Sequence, residues 1–108
     1  SFSKKGKADL ELISAQTMQS LQIAVESRET GSVKSANAVR VLEQSVDQLE
    51  EEMREKHIRR LSKGKCEPES GVIFLDIISN LERISDHAVN IADYVKAESE
   101  AGIPAIRI

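Results

Sequence analysis

The sequence predicts an all-α protein, an antiparallel up-down-up three-helix bundle, and three observations carry that expectation. Of 108 residues only 5 are Gly and 2 are Pro, aromatics make up 3% and charged residues 31%. Sheet proteins draw instead on aromatic, β-branched and turn residues. Apolar residues recur at three- and four-residue spacing along three long segments. Between those segments stand residues that start and stop helices, and little else.

The first segment covers about residues 3–30, with Leu10, Ile13, Thr17, Leu21 and Ala24 along one face. Ser3 or Ser1 can cap its start, and Gly31 can end it in a left-handed conformation. Ser32 then caps a second helix over about 33–62, whose repeat is Val39, Leu42, Val46, Leu49, Met53 and Arg60; Gly64 closes it. After the connection from Ser62 to Glu67, Pro68 fits the first turn of a third helix, where its missing N–H costs nothing. That helix, about 68–100, carries Phe74, Ile77, Leu81, Ile84, Ala88, Ile91 and Val95 and stops near Gly102-Ile103-Pro104. Helices of this size are each ~45 Å long at 1.5 Å rise per residue. Short connections make sequential helices antiparallel neighbours. Residues 1–108 thus read as one domain, long and thin, with much surface for its core, and self-association as a homodimer is expected.

A net charge of −3 leaves no domain-wide basic footprint for nucleic acid. Two short basic clusters, Lys4-Lys5-Gly6-Lys7 and Arg59-Arg60 with Lys63 and Lys65, read as solvated helix ends. Cys66 is the only cysteine, which excludes an intrachain disulfide. No apolar run approaches the ~20 residues of a membrane span, and no signal peptide is visible. The start at Ser1 rather than Met points to a piece of a longer chain. Catalysis has no foothold: there is no nucleophile–base arrangement and no Gly-rich phosphate loop. Neither His57 nor His87 has the Glu three positions before it that a di-iron Glu-x-x-His site needs. His87 is expected to serve packing or hydrogen bonding.

The carboxylates are the informative residues. Glu43 and Asp47 in the second helix, and Glu82 and Asp86 in the third, are E-x-x-x-D pairs one turn apart on a helix face. Like charges stacked in this way repel unless a cation neutralises them. In a hairpin turning near Cys66, Asp47 stands level with Asp86, with Glu50 and Glu82 a turn away. On the helical wheel Glu82 and Asp86 lie on the outer side of the third helix, joined by Asp93 and Asn90. Four to six carboxylates can line one groove, Glu50 and Asp93 being additions to the first four and the Asn90 amide a further candidate ligand. Hard oxygen donors without clustered Cys or His favour iron, manganese, magnesium or calcium over structural zinc. The other reading is a solvated surface neutralised by Arg54, Lys56 or Arg83. Val89 and Leu75, on the same outer face, would then make it a metal-free docking or dimerisation surface.

The run Asn80-Leu81-Glu82-Arg83-Ile84-Ser85-Asp86-His87-Ala88-Val89-Asn90-Ile91-Ala92 resembles the PhoU family, whose helices carry E/D-x-x-x-D motifs. Phe74-Leu75-Asp76, Glu43 with Asp47, Leu49-Glu50-Glu51-Glu52 and the run from Arg54 to Leu61 extend the likeness over nearly the whole chain. Gly64-x-Cys66 and the opening Phe2-Ser3-Lys4 are similar to the version fused behind bacterial sodium-dependent phosphate cotransporters. The resemblance implies a cytoplasmic regulatory domain concerned with phosphate uptake, tethered at the inner face of the membrane. Its partners would be the transporter's transmembrane part and a signalling protein. It also implies metal binding, iron included, at Glu43, Asp47, Glu82 and Asp86. PhoU proteins usually hold two such three-helix repeats; this chain holds one, which makes a homodimer the natural replacement.

Overall fold

A computed structural model of the chain describes residues 2–65 and 67–104. Three helices account for most of them: α1 (Lys4–Thr30), α2 (Val33–Ser62) and α3 (Pro68–Glu100). The Ser3 side chain accepts from the Gly6 N–H at 3.0 Å and Ser32 accepts from the Ser35 N–H at 3.1 Å, each satisfying an orphan donor of a first turn. Gly31, at φ 72°, ends α1 and donates its N–H to the Ser27 carbonyl. A side chain there would be strained. Pro68 opens α3. Among the described residues no helix is long and apolar enough to cross a membrane.

Contacts between helices fix their relative directions. Arg54 of α2 reaches Ser79 of α3, and further back along α2, Arg40 reaches Asp93, further on along α3. Each step along α2 is thus matched by a step back along α3, as in two helices running opposite ways. Arg28 near the end of α1 pairs with Glu98 near the end of α3. The start of α1 meets the start of α3 through an edge-on contact of Phe2 with Phe74, centroids 5.8 Å apart. The result is a rod of 56 × 19 × 16 Å.

The core divides into two clusters, each drawing on all three helices. Ala24, Ala36, Val39, Ala88, Ala92 and Val95 form one. Ile13, Val46, Met53, Phe74 and Ile78 form the other. Between their members along α1 and α3 lie Thr17, Ser20 and Ser85, fully buried hydroxyl residues. His57, also buried, stacks on Phe74 with centroids 4.3 Å apart; burial and the nearby Arg60 charge push its pKa down. Gly71 permits a close approach of α3 to α2 there, since a Cβ would lie 2.7 Å from a Leu61 methyl.

The buried stripe differs from the one the apolar spacing predicts. On α3, Ile78, Ser85 and Ala92 occupy its centre, while Ile77, Leu81, Ile84 and Ile91 are half-buried flanks. On α2, Glu50 and His57 sit in the stripe, and Arg60 is half-buried. Val89, expected on the outer face, packs against the first cluster. His87, expected to pack, is exposed. The physical reason is that helices approach most closely where side chains are small. Ser85, Ala88 and Ala92 therefore take the contact line and the larger residues fan out beside it.

Candidate functional site

The rotation of α3 carries its carboxylates toward α2. Asp86 follows the buried Ser85, and Glu43 and Asp47 bracket the buried Val46 on α2, so all three side chains converge on the α2–α3 seam. Each offers one carboxylate oxygen, and these oxygens lie within 4.8 Å of one another. Glu43 and Asp47 are half-buried and Asp86 exposed, so the cluster opens to solvent on one side. It sits at the waist of the rod, between the two core clusters.

Glu82 stands next to this trio rather than in it. Its carboxyl faces Glu50, which is buried at 7% exposure and held by Arg54, whose Nε donates to Glu50 Oε1 at 2.7 Å. Arg54 also donates to Ser79 Oγ at 3.1 Å. A hydrogen bond between two carboxyl groups requires one proton, and Glu82 is the partner whose affinity for it is raised. That bond to Glu50, burial, and the charges of Glu50, Asp47 and Asp86 push the Glu82 pKa up to about 7. Burial, followed by the neighbouring Asp47 and Asp86 charges, raises Glu43 as well. Burial, then the Asp86 charge, raises Asp47.

Asp93 and Asn90 are not brought into the cluster. Arg40 grips Asp93 with bonds of 2.9 and 3.0 Å to its two oxygens. Asn90 and Asp93 line a separate shallow groove with Tyr94 and Ala97. Both stand one to two turns further along α3 on nearly the same side as Asp86, separated from the trio along the axis rather than around it. Glu50 is the residue whose place the apolar pattern misses. Its spacing, four after Val46 and three before Met53, is that of the buried stripe, and this was the available signal.

The donor set suits a hard cation. Three carboxylates converge, their protonation is favoured over the ordinary range at two of them, and no salt bridge among the described residues reaches Glu43, Asp47 or Asp86. A divalent ion held by them would supply the missing positive charge and tie α2 to α3.

The coupling of Glu82 to its neighbours predicts a pH-dependent gain from Glu82→Gln, which keeps a donor toward Glu50 without the charge. With a folded pKa near 7 above the ordinary unfolded value, Glu82 favours the native state at low pH, and that contribution is lost as pH rises through 7. A shift of this size is worth about 3 kcal/mol unscreened, and partial solvation cuts it to about 1 kcal/mol. The variant is expected to melt about 5 °C above the parent at pH 8 and level with it near pH 4.5. The opposing titration of His57 is common to both proteins and cancels. Equal differences at the two pH values would contradict the assignment.

Comparison with protein families matches residues 10–95 to the PhoU domain. Comparisons with curated proteins and with solved structures found no match.

Proposed function

Since this chain belongs to the PhoU domain family, we propose that it regulates phosphate uptake as the cytoplasmic domain of a sodium-dependent phosphate transporter, in an up-down-up bundle holding a divalent or iron-type cation. The family match supports the coarser part of this reading: PhoU domains are helical regulators of phosphate homeostasis rather than catalysts. The convergence of Glu43, Asp47 and Asp86 supports the metal. Glu82 is its proton-carrying neighbour, positioned to join the ligands once deprotonated. The motif likeness around Phe2-Ser3-Lys4 and Gly64-x-Cys66 supports the transporter context.

Two measurements test the reading separately. Calorimetry of the metal-free protein with Mn(II), Fe(II) and Ca(II) should show binding at one site per chain, weakening between pH 7.5 and 5.5 as the carboxyls take up protons. Binding of none of the three removes the metal and leaves a helical docking module. Deleting this segment from the full gene should alter phosphate uptake by cells and its response to external phosphate. An unchanged response would remove the transporter role.

Self-association belongs to the same reading. Val25, Ile91 and Tyr94, with the Arg28–Glu98 pair, line a concavity of about 430 Å³ between α1 and α3, and Tyr94 is 69% exposed. A second copy would cover this apolar strip. Tyr94→Glu is expected to convert a dimer into a monomer in sedimentation velocity at micromolar concentration, with helicity unchanged. A parent protein that sediments as a monomer would refute the pairing.

A further inference from the structure

We propose that the end of the rod opposite Gly31 is a second, independent site, which binds anions carrying two or more phosphate groups. Lys5 of α1, Lys56, Arg59 and Arg60 of α2, and Lys63 and Lys65 of the following turn surround a concavity of about 330 Å³. Asp9 is the single carboxylate among its lining residues. No salt bridge among the described residues engages any of the six cations. Their positions come from the backbone. Gly64, at φ 66°, turns the chain so that the Lys65 N–H reaches back to the Arg60 carbonyl at 2.9 Å. The fold thereby doubles Lys63 and Lys65 over the last turn of α2.

Cations at a helix C-terminus are ordinarily explained by the negative end of its dipole. That accounts for Arg59 and Arg60, in the last turn of α2. It does not account for Lys5, which belongs to a different helix, or for Lys56, which lies before that turn. The dipoles at this end in fact sum the other way. α1 and α3 both start here, at Lys4 and Pro68, and only α2 ends here, so two positive helix ends oppose one negative end. Six like charges held around one cavity repel, and a ligand that neutralises several at once relieves that repulsion. Orthophosphate carries too little charge to do so. The cavity has the volume of about ten liquid waters, room for linked phosphates or for neighbouring headgroups of a bilayer. The forked guanidinium of Arg59 suits bidentate contact with phosphate oxygens, and the lysines supply the diffuse remainder.

The same chemistry could be offered by a soluble polyphosphate or by a phospholipid surface, and the test separates them. Metal-free protein is titrated calorimetrically with tripolyphosphate and with orthophosphate. In parallel it is sedimented with vesicles of phosphatidylcholine alone or mixed with phosphatidylglycerol. Using metal-free protein removes the α2–α3 carboxylate site from the measurement, so the outcome does not depend on the metal reading. Expected are binding of tripolyphosphate at least about tenfold tighter than orthophosphate, or selective sedimentation with the anionic vesicles. Either must fall at least about tenfold, roughly 1.4 kcal/mol, in the variant Lys56→Gln/Arg59→Gln/Lys63→Gln. All three residues are exposed, so helicity should persist; if it does not, Arg59→Gln alone carries the test with a smaller loss. Lys34→Gln/Arg83→Gln, exposed cations outside the cavity, should bind like the parent. Tripolyphosphate binding alone identifies a soluble ligand, and vesicle binding alone a headgroup surface. Failure of both probes, a triple variant that binds like the parent, or an equal loss in the control pair overturns the site.

Discussion

Asp47→Asn combined with Asp86→Asn is expected to weaken Mn(II) binding about a hundredfold, roughly 2.7 kcal/mol, while making the metal-free protein slightly more stable. Both effects come from the same geometry. The two side chains supply two of the three oxygens that lie within 4.8 Å of one another, and asparagine keeps their size while removing the charge that attracts a hard cation. Without metal those charges repel each other, Glu43 and Glu82, and asparagine can still accept the hydrogen bond that Asp47 shares with Glu43, so their loss should raise apo stability by about 0.5 kcal/mol. For the parent, Mn(II) at a hundred times its dissociation constant should add about 2.7 kcal/mol, raising the melting temperature by roughly 10 °C or more. In the double variant, at the same Mn(II) concentration, that gain should shrink to about 0.4 kcal/mol, or roughly 2 °C. A variant that still responds to Mn(II) like the parent would move the metal elsewhere. One that unfolds would mean the carboxylates hold the fold together.

Ile78→Ala is expected to destabilise the protein by about 3 kcal/mol, lowering its melting temperature by about 15 °C. Ile78 is fully buried in the second cluster with Phe74, Val46, Met53 and Ile13. Its neighbour Ile77 is only half-buried, and Ile77→Ala should cost about 1 kcal/mol by the area removed from water. Urea melts of the two variants make the comparison at equal chemistry. If Ile77→Ala proved the costlier, the rotation of α3 would be wrong, and with it the inward turn of Asp86.

That pair of isoleucines marks where sequence reading reached its limit. Helix starts and stops were legible because Ser3, Gly31, Ser32 and Pro68 act locally, through caps and φ values that need no tertiary partner. The level of Asp47 with Asp86, and of Glu50 near Glu82, was legible too, because a hairpin of two helices leaves one free register and the turn fixes it. The angle of α3 about its own axis was not. Counting apolar residues favours Ile77, Ile84 and Ile91, whereas packing gives the contact line to Ser85, Ala88 and Ala92. A stripe of small residues at three- and four-residue spacing carries that information, but it scores poorly on any hydrophobicity count. Glu50 was placed as a surface carboxylate for the same reason. Its place in the stripe goes with the Arg54 guanidinium, which bonds both Glu50 and Ser79, and Ser79 comes from another helix.

The division of the core has a consequence for the order in which the chain folds. Each cluster lies toward one end of the rod: the first gathers residues on either side of the α1–α2 turn, the second on either side of the α2–α3 connection. Contacts of short sequence separation form first because little loop entropy opposes them. Structure is therefore expected to spread inward from two hairpins, with the waist, its buried hydroxyls and its mutually repelling carboxylates joined last. An ion bound there would engage only after the two hairpins have formed. Its stabilisation would then fall on the unfolding rate, and Mn(II) in the experiment above is expected to lengthen the lifetime of the native rod without hastening its formation.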